Sequence, residues 1–324
     1  MQTIKTDSLL KAKGINFSYG QKSVLTNIKF TLKAGEVVGI AGESGSGKTT
    51  LLKVLSAKLV PQSGEVFFKN ENIYAGNEQL LRGHDSIKIV DQDFDLMPYI
   101  TVDENIIRNS LSLSESGRKR LLKQMKSHLN LKDVGSNKAV NTSGGQKQRI
   151  ALATAVATKP DVLLLDEPFA NLDYSLKVQA IRLLKSEWRA KAMVVVAHEP
   201  ADLLSLCDRL VIMKKGKIVQ QGKSKEVYQN PKNRYVAELL GPINVLNSEL
   251  VKALKTEKKL VRPHELSIAE SGISVEITNL HYCGGFTEVG VYSSEYEQTL
   301  ITQYFGKGDL EEGQKVKLTY SGGN

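Results

Sequence analysis

Nine residues constrain this chain more than any other stretch: Gly42-Glu43-Ser44-Gly45-Ser46-Gly47-Lys48-Thr49-Thr50. A glycine, four residues, then Gly-Lys-Thr is the spacing of a loop that wraps a phosphate. Glycines let successive backbone N–H groups converge on phosphate oxygens, and a helix leaving the loop points its positive end at them. The flanks agree with this. An apolar strand over residues 36–40 enters the loop, and Leu51, Leu52, Leu55 and Leu59 recur at helical spacing after it. A merely flexible glycine loop would need neither neighbour. In a loop of this kind Lys48 is expected to reach the β- and γ-phosphates and the Thr49 hydroxyl to ligate Mg²⁺.

A second feature gives the loop a chemistry. Val162-Leu163-Leu164-Leu165-Asp166-Glu167 is an apolar strand that ends in two carboxylates. Such a strand, covered on both faces, places them at the carboxyl edge of a parallel sheet, beside the phosphate loop. Asp166 is expected to hold Mg²⁺, directly or through water, and Glu167 to polarise an attacking water. An Asp-Glu pair after a strand is commonplace on surfaces, so the pairing with the loop carries the meaning. A third feature is Asn141-Thr142-Ser143-Gly144-Gly145-Gln146, running into a helix from Lys147. It is a second anion cradle by the same physics, without a lysine of its own.

Around these motifs the chain alternates strands and helices, which predicts an α/β core with a mainly parallel sheet. Residues 11–30 read as short strands with a turn at Tyr19-Gly20-Gln21-Lys22, and residues 65–68 as another strand. Residues 94–141 read as helical and polar, with Leu121, Leu122, Met125 and Leu129 on one stripe. A helix over 174–189 and a strand over 193–197 follow. After Gly241-Pro242 the segments near Leu260 and over 273–280, 288–292, 299–303 and 316–320 are short, β-branched and separated by turns. They predict a small all-β domain, barrel-like and closest in type to an OB fold.

Composition narrows the setting. The longest apolar runs are strand-sized, too short to cross a bilayer, and no signal peptide is read at the N-terminus. The 324 residues hold two cysteines, Cys207 and Cys283, far apart, which fits a reducing compartment and gives no disulfide or metal framework. The net charge of +9 is spread over scattered lysines and selects no partner by itself.

Together the three motifs resemble the ATP-binding cassette family of transport ATPases, in which the Ser-Gly-Gly turn is the signature motif. The resemblance implies ATP and Mg²⁺ as ligands, and a signature at residues Ser143, Gly144, Gly145 and Gln146 that closes on the γ-phosphate held by a second copy of the subunit. It implies further roles: Tyr19 stacking on adenine, Gln92 sensing the Mg²⁺ site, Asn171-Leu172-Asp173 crossing the dimer interface, and His198 contacting the γ-phosphate. Gln220-Gln221-Gly222, Asn230-Pro231 and Gly241-Pro242-Ile243-Asn244 resemble the linker of importer ATPases. Val261-Arg262-Pro263-His264-Glu265 resembles the opening of the regulatory β-domain found in importers of sugars, polyamines, iron, sulfate and molybdate. That leaves the solute open, with a faint likeness to the sulfate group.

The fold so implied is a P-loop NTPase core with an antiparallel β subdomain and a helical subdomain, over residues 1–240, followed by an OB-like domain over 241–324. The expected function is ATP hydrolysis coupled to solute import, at the cytoplasmic face of the cell membrane. Integral-membrane permease subunits and a solute-binding protein are the further expected partners, and nucleic acid is not. An exporter ATPase, or a soluble cassette ATPase acting on nucleic acid or ribosomes, are the alternatives. This chain departs from the family pattern at Thr142, where leucine is usual, at Ala197 and Glu199, where Thr and Asp are usual, and at Thr154, where arginine is common.

Overall fold

The computed structural model describes residues 8–75, 84–91, 94–110, 113–187, 191–306 and 308–322. They form two compact units, residues 1–227 and 228–324.

The first unit is built on a six-stranded sheet. Its order is Lys217–Lys223, Arg209–Lys214, Val37–Gly42, Ala192–Val196, Val162–Asp166 and Ile87–Val90. All neighbours pair in parallel except the edge strand Lys217–Lys223, which is antiparallel. Val162–Asp166 and Ala192–Val196 are buried at every position, as strands covered on both faces must be. The strand 192–196 lies between the one that launches the phosphate loop and the one that ends in Asp166. Sheet order therefore brings three carboxyl ends to one edge.

A four-stranded antiparallel sheet packs beside it, in the order Lys22–Lys33, Ser8–Tyr19, Ser63–Phe68, Glu71–Asn72. Its first two strands have 12 residues each, longer than the short strands the sequence predicts. Register shifts between Ala12 and Ile15 and between Ile15 and Phe17 let one long hairpin bend without ending. Leu10, Ile15, Leu25, Ile28 and Phe30 from this sheet share a core with Val38, Ile40, Leu51, Leu52 and Leu55. The phosphate loop is thus anchored at both ends in one hydrophobic core.

The helix after the loop spans Lys48–Leu55, shorter than its leucine stripe predicts. Ala57 turns to φ 59°, and the amides of Lys58 and Leu59 both return to the Lys53 carbonyl, at 2.9 and 3.1 Å. Leu59 still packs on the core, but from beyond the helix. In the helical region, Val102–Ile107 begins with a capping box between Thr101 and Glu104, and Glu115–His128 buries Leu121 and Met125. No helix among the described residues is long and apolar enough to cross a membrane.

The second unit is a five-stranded antiparallel sheet in the order Leu266–Ala269, Lys315–Tyr320, Ile273–Tyr282, Thr287–Ser293, Gln298–Tyr304. The Thr302 hydroxyl donates to the Leu266 carbonyl at 2.6 Å, so the first and last strands of that order meet and the sheet curls as an OB-like fold does. Leu246, Leu250 and Leu254, on and around a short helix at Ser248–Ala253, fill it together with Val275, Ile277, Val291 and Leu318. That helix has six residues, too few for a periodic signal in the sequence.

Residues 228–240, grouped by sequence pattern with the first domain, cluster with this second unit. The reason is Arg262, only 3% exposed. Its guanidinium donates to the carbonyls of Ala237 (2.9 Å), Gly241 (2.9 Å) and Pro242 (3.0 Å) and lies 4.3 Å over the Tyr228 ring. The Arg-Pro-His-Glu segment therefore fastens the linker to the β-domain, and its likeness to the sulfate group says nothing of a solute. Arg262→Met should destabilise the second unit by about 2–4 kcal/mol, because the carbonyls lose a charged donor and stay buried. Hydrogen exchange should accelerate in strands 273–304 and stay at the wild-type rate in strand 162–166. An unchanged rate in both would mean that Arg262 fastens nothing.

Candidate nucleotide site

The loop's glycines have local reasons. Gly47 sits at φ 101°, a left-handed conformation, and a Cβ there would lie 2.8 Å from the Val24 carbonyl oxygen. At Gly42 a Cβ would meet the Met213 carbonyl oxygen at 2.5 Å. Glu43, Ser44 and Gly45 form the exposed crest, while Ser46, Gly47, Lys48 and Thr50 are buried and Thr49 is half-buried. The Lys48 ammonium reaches back to the carbonyls of Gly42 (2.7 Å) and Glu43 (3.0 Å). Burial pulls its pKa down, and the Glu167 and Asp166 carboxylates act against that.

Asp166 ends its strand 4% exposed, and both carboxylate oxygens are buried without a well-formed hydrogen bond. Burial, and then the nearby Glu167 and Asp91 carboxylates, push its pKa up; the Thr49 hydroxyl and Lys48 pull it down. A buried carboxylate with unbonded oxygens, next to a threonine hydroxyl, is the kind of oxygen donor set a hard divalent cation takes. Gln92, the third expected metal contact, lies outside the described residues.

Glu167 follows at φ 54°, the left-handed region that a non-glycine residue seldom occupies. Its amide donates to the Val196 carbonyl at 2.9 Å. Its side-chain Oε1 lies 2.7 Å from His198 Nε2, and the imidazole is 57% exposed. Adjacent parallel strands deliver this pair, the carboxylate from the end of Val162–Asp166 and the imidazole from the end of Ala192–Val196. Lys48, Thr49, Asp166, Glu167 and His198 thus converge. Tyr19 stands at its hairpin turn, 52% exposed, with its ring edge-on to Phe17 at 4.9 Å.

Ser143 caps the helix Gly144–Ala157. Its hydroxyl accepts from the Gln146 amide (3.3 Å), and the Gln146 side-chain oxygen accepts from the Ser143 amide (2.8 Å). A Cβ on Gly144 would meet nothing within 4 Å, whereas one on Gly145 would lie 3.0 Å from the Asn171 carbonyl oxygen. Asp173 caps the next helix, its Oδ1 accepting from the Leu176 amide at 2.9 Å.

The departures from the family pattern find local partners. Thr142 donates to the Ala139 carbonyl at 2.7 Å, and Thr154 to those of Ile150 (2.8 Å) and Asn105 (3.3 Å). Glu199 pairs with Lys177 at 2.6 Å, and Ala197 is 7% exposed.

One residue at this site escapes motif reading. Gln148, 4% exposed, donates to the Glu167 carbonyl at 2.6 Å and accepts from the Asn171 amide at 3.3 Å. Its only sequence signal is position: a lone polar residue on the helical stripe that continues through Leu152 and Ala155.

A phosphate loop launched from a parallel sheet, with carboxylates at the same edge, defines a nucleotide-binding P-loop unit. A sequence profile described as ABC transporter matches residues 25–170. The chain is 30% identical over 99% of its length to the spermidine/putrescine import ATP-binding protein PotA of Pasteurella multocida, covering 97% of that protein. To the glucose import ATP-binding protein GlcV of Saccharolobus solfataricus it is 37% identical over 93% of its length, covering 92% of that protein. A solved structure, the dimeric post-hydrolysis state of the ATP-binding cassette MJ0796 bound to ADP and Pi, matches with a TM-score of 0.60 at 29% identity. It covers 66% of this chain and 98% of that one. The chain belongs to the ABC transporter family, as an ATP-binding and ATP-hydrolysing subunit of the import type.

Proposed function

We propose that this chain works as one of a pair, each ATP held between the phosphate loop of one copy and the signature turn, Ser143-Gly144-Gly145-Gln146, of the other. The observation that carries the reading is the convergence of Lys48, Asp166, Glu167 and His198 on the edge where the loop begins. Backbone amides of residues 42–49 cradle the phosphates, with Lys48 supplying the cation at the β/γ bridge. Glu167 accepts the proton of the water that attacks the γ-phosphorus, as ADP departs with its β-oxygen charge stabilised by Lys48. With ATP bound, His198 turns its Nε2–H from Glu167 to a γ-phosphate oxygen, which frees the Glu167 carboxylate to take the proton. Tyr19 stacks on the adenine.

Thr49 and Asp166, with Gln92, hold Mg²⁺, which neutralises phosphate charge when bound. Closure on ATP and reopening after hydrolysis drive integral-membrane permease subunits, which dock on the helical region 94–141. The chain is peripheral, at the cytoplasmic face. A solute-binding protein delivers the solute to the permease.

Asp166→Asn tests the metal assignment. It should lower Mg-dependent hydrolysis by about 10²-fold or more, the size of losing one preorganised electrostatic contact. It should also raise the thermal midpoint of the nucleotide-free, Mg-free protein by about 2–4 °C, since a desolvated carboxylate charge beside Glu167 and Asp91 is replaced by a neutral amide. Near-wild-type Mg-ATP hydrolysis in Asp166→Asn would overturn the assignment.

A further inference from the structure

We infer that Gln148 is a positioning residue that ties Glu167 to the signature helix, so that the turn completing one ATP site is joined within each chain to the base of the other. This rests on the paired reading proposed above and names the physical link it requires.

The link is a single buried amide. Gln148 Nε2 donates to the carbonyl of Glu167 (2.6 Å), and its Oε1 accepts from the amide of Asn171 (3.3 Å). One side chain therefore holds both ends of the turn that follows Asp166. Glu167 needs such support, because a non-glycine residue at φ 54° persists only where its surroundings over-determine it. Its amide is fixed by the Val196 carbonyl, and its carbonyl accepts from Gln148 (2.6 Å) and, at longer range, from the Ala170 amide (3.3 Å). These bonds hold the backbone from which the carboxylate leaves toward His198, and Gln148 supplies the shortest of them.

The other end of the link is equally firm. Gln148 lies one helical turn beyond Gly144, in a helix that Ser143 caps. Arg149, next to it, donates to the carbonyls of Gly145 (3.2 Å), Leu129 (3.0 Å) and Asn130 (2.9 Å). Gly145 in turn abuts Asn171 so closely that a Cβ would stand 3.0 Å from its carbonyl oxygen. Signature turn, residue 171 and the backbone of Glu167 form one hydrogen-bonded body. A displacement of the signature on a partner's γ-phosphate is passed to Glu167 through Gln148. A glutamine that merely satisfied a buried carbonyl would, when replaced, cost stability and leave turnover per folded molecule unchanged.

Gln148→Met keeps the length and removes both hydrogen bonds. In the purified full-length protein it should lower kcat at least tenfold, with the KM for Mg-ATP within twofold of wild type. The double variant Glu167→Gln/Gln148→Met should still assemble with Mg-ATP as Glu167→Gln does, because the phosphate-facing atoms of the signature are unchanged. Gln148→Glu keeps the acceptor for Asn171 but sets a carboxylate oxygen against the Glu167 carbonyl, so it should lose as much kcat. It is the deciding variant if Gln148→Met does not fold. A kcat within twofold of wild type in either folded variant overturns the inference, as does a loss confined to KM. If Glu167→Gln alone still hydrolyses ATP at the wild-type rate, the base assignment fails, and the Gln148 measurement stands apart from it.

Discussion

Lys48→Ala should abolish measurable ATP turnover, lowering kcat by about 10²–10³-fold, the cost of removing one preorganised stabilising group from a phosphoryl-transfer site. Lys48 is 7% exposed and its ammonium is steadied by two carbonyls of its own loop, so it is preorganised where phosphate charge would sit. Desolvation pulls its pKa down while the carboxylates of Glu167 and Asp166 hold it charged. Alanine removes the charge without touching the side of the helix that packs in the core, where Leu51, Leu52 and Leu55 are fully buried. The variant should therefore unfold within a few degrees of wild type. Phosphate release from the purified protein, followed alongside thermal unfolding, makes the test. Wild-type release by a folded Lys48→Ala would remove Lys48 from the chemistry.

The second large effect concerns assembly. Glu167→Gln keeps the shape of the side chain and removes its basicity, so ATP should bind and remain. A ligand that binds only the closed pair draws monomers together by mass action, so this variant should dimerise on adding Mg-ATP. A carboxylate on the signature turn should prevent it, because two anions would face each other across the interface. Gly144 is the position for it. An added Cβ there meets nothing within 4 Å, whereas one on Gly145 crowds Asn171 within the same chain and would confound the result. Light scattering should report a dimer for Glu167→Gln with Mg-ATP and a monomer for Glu167→Gln/Gly144→Asp. Equal dimerisation of both would sink the shared site.

Much of the fold was legible because its signals are local. Four consecutive apolar residues from Val162 to Leu165, followed by two carboxylates, read as a strand covered on both faces, and all four are 0% exposed. The helices with apolar stripes and the turn at Gly20 also follow from neighbours in sequence. Other features gave no such signal. Leu59 keeps helical spacing but lies past a turn at Ala57, because the chain reverses there to meet the core. The helix Ser248–Ala253 and the strand Leu266–Ala269 are too short to show a period. Arg262 read as part of a family motif, yet its carbonyl partners lie 20 to 34 positions away, a pairing no local pattern encodes.

The candidate site divides along the same line. Sequence alone marked the residue types proposed for phosphate, metal and base chemistry: the glycine-lysine loop, Thr49, and the carboxylates of Asp166 and Glu167. Each is fixed by spacing within a few positions, because a turn or a strand end is a local object. Tertiary structure decided which of them meet. His198 reaches Glu167 because the strand Ala192–Val196 pairs beside Val162–Asp166. Gln148 reaches Glu167 across 19 positions, because the helix Gly144–Ala157 buries the face on which it lies. Sheet order and helix packing are settled by burial summed over the whole core, and so they appear only once the chain has folded.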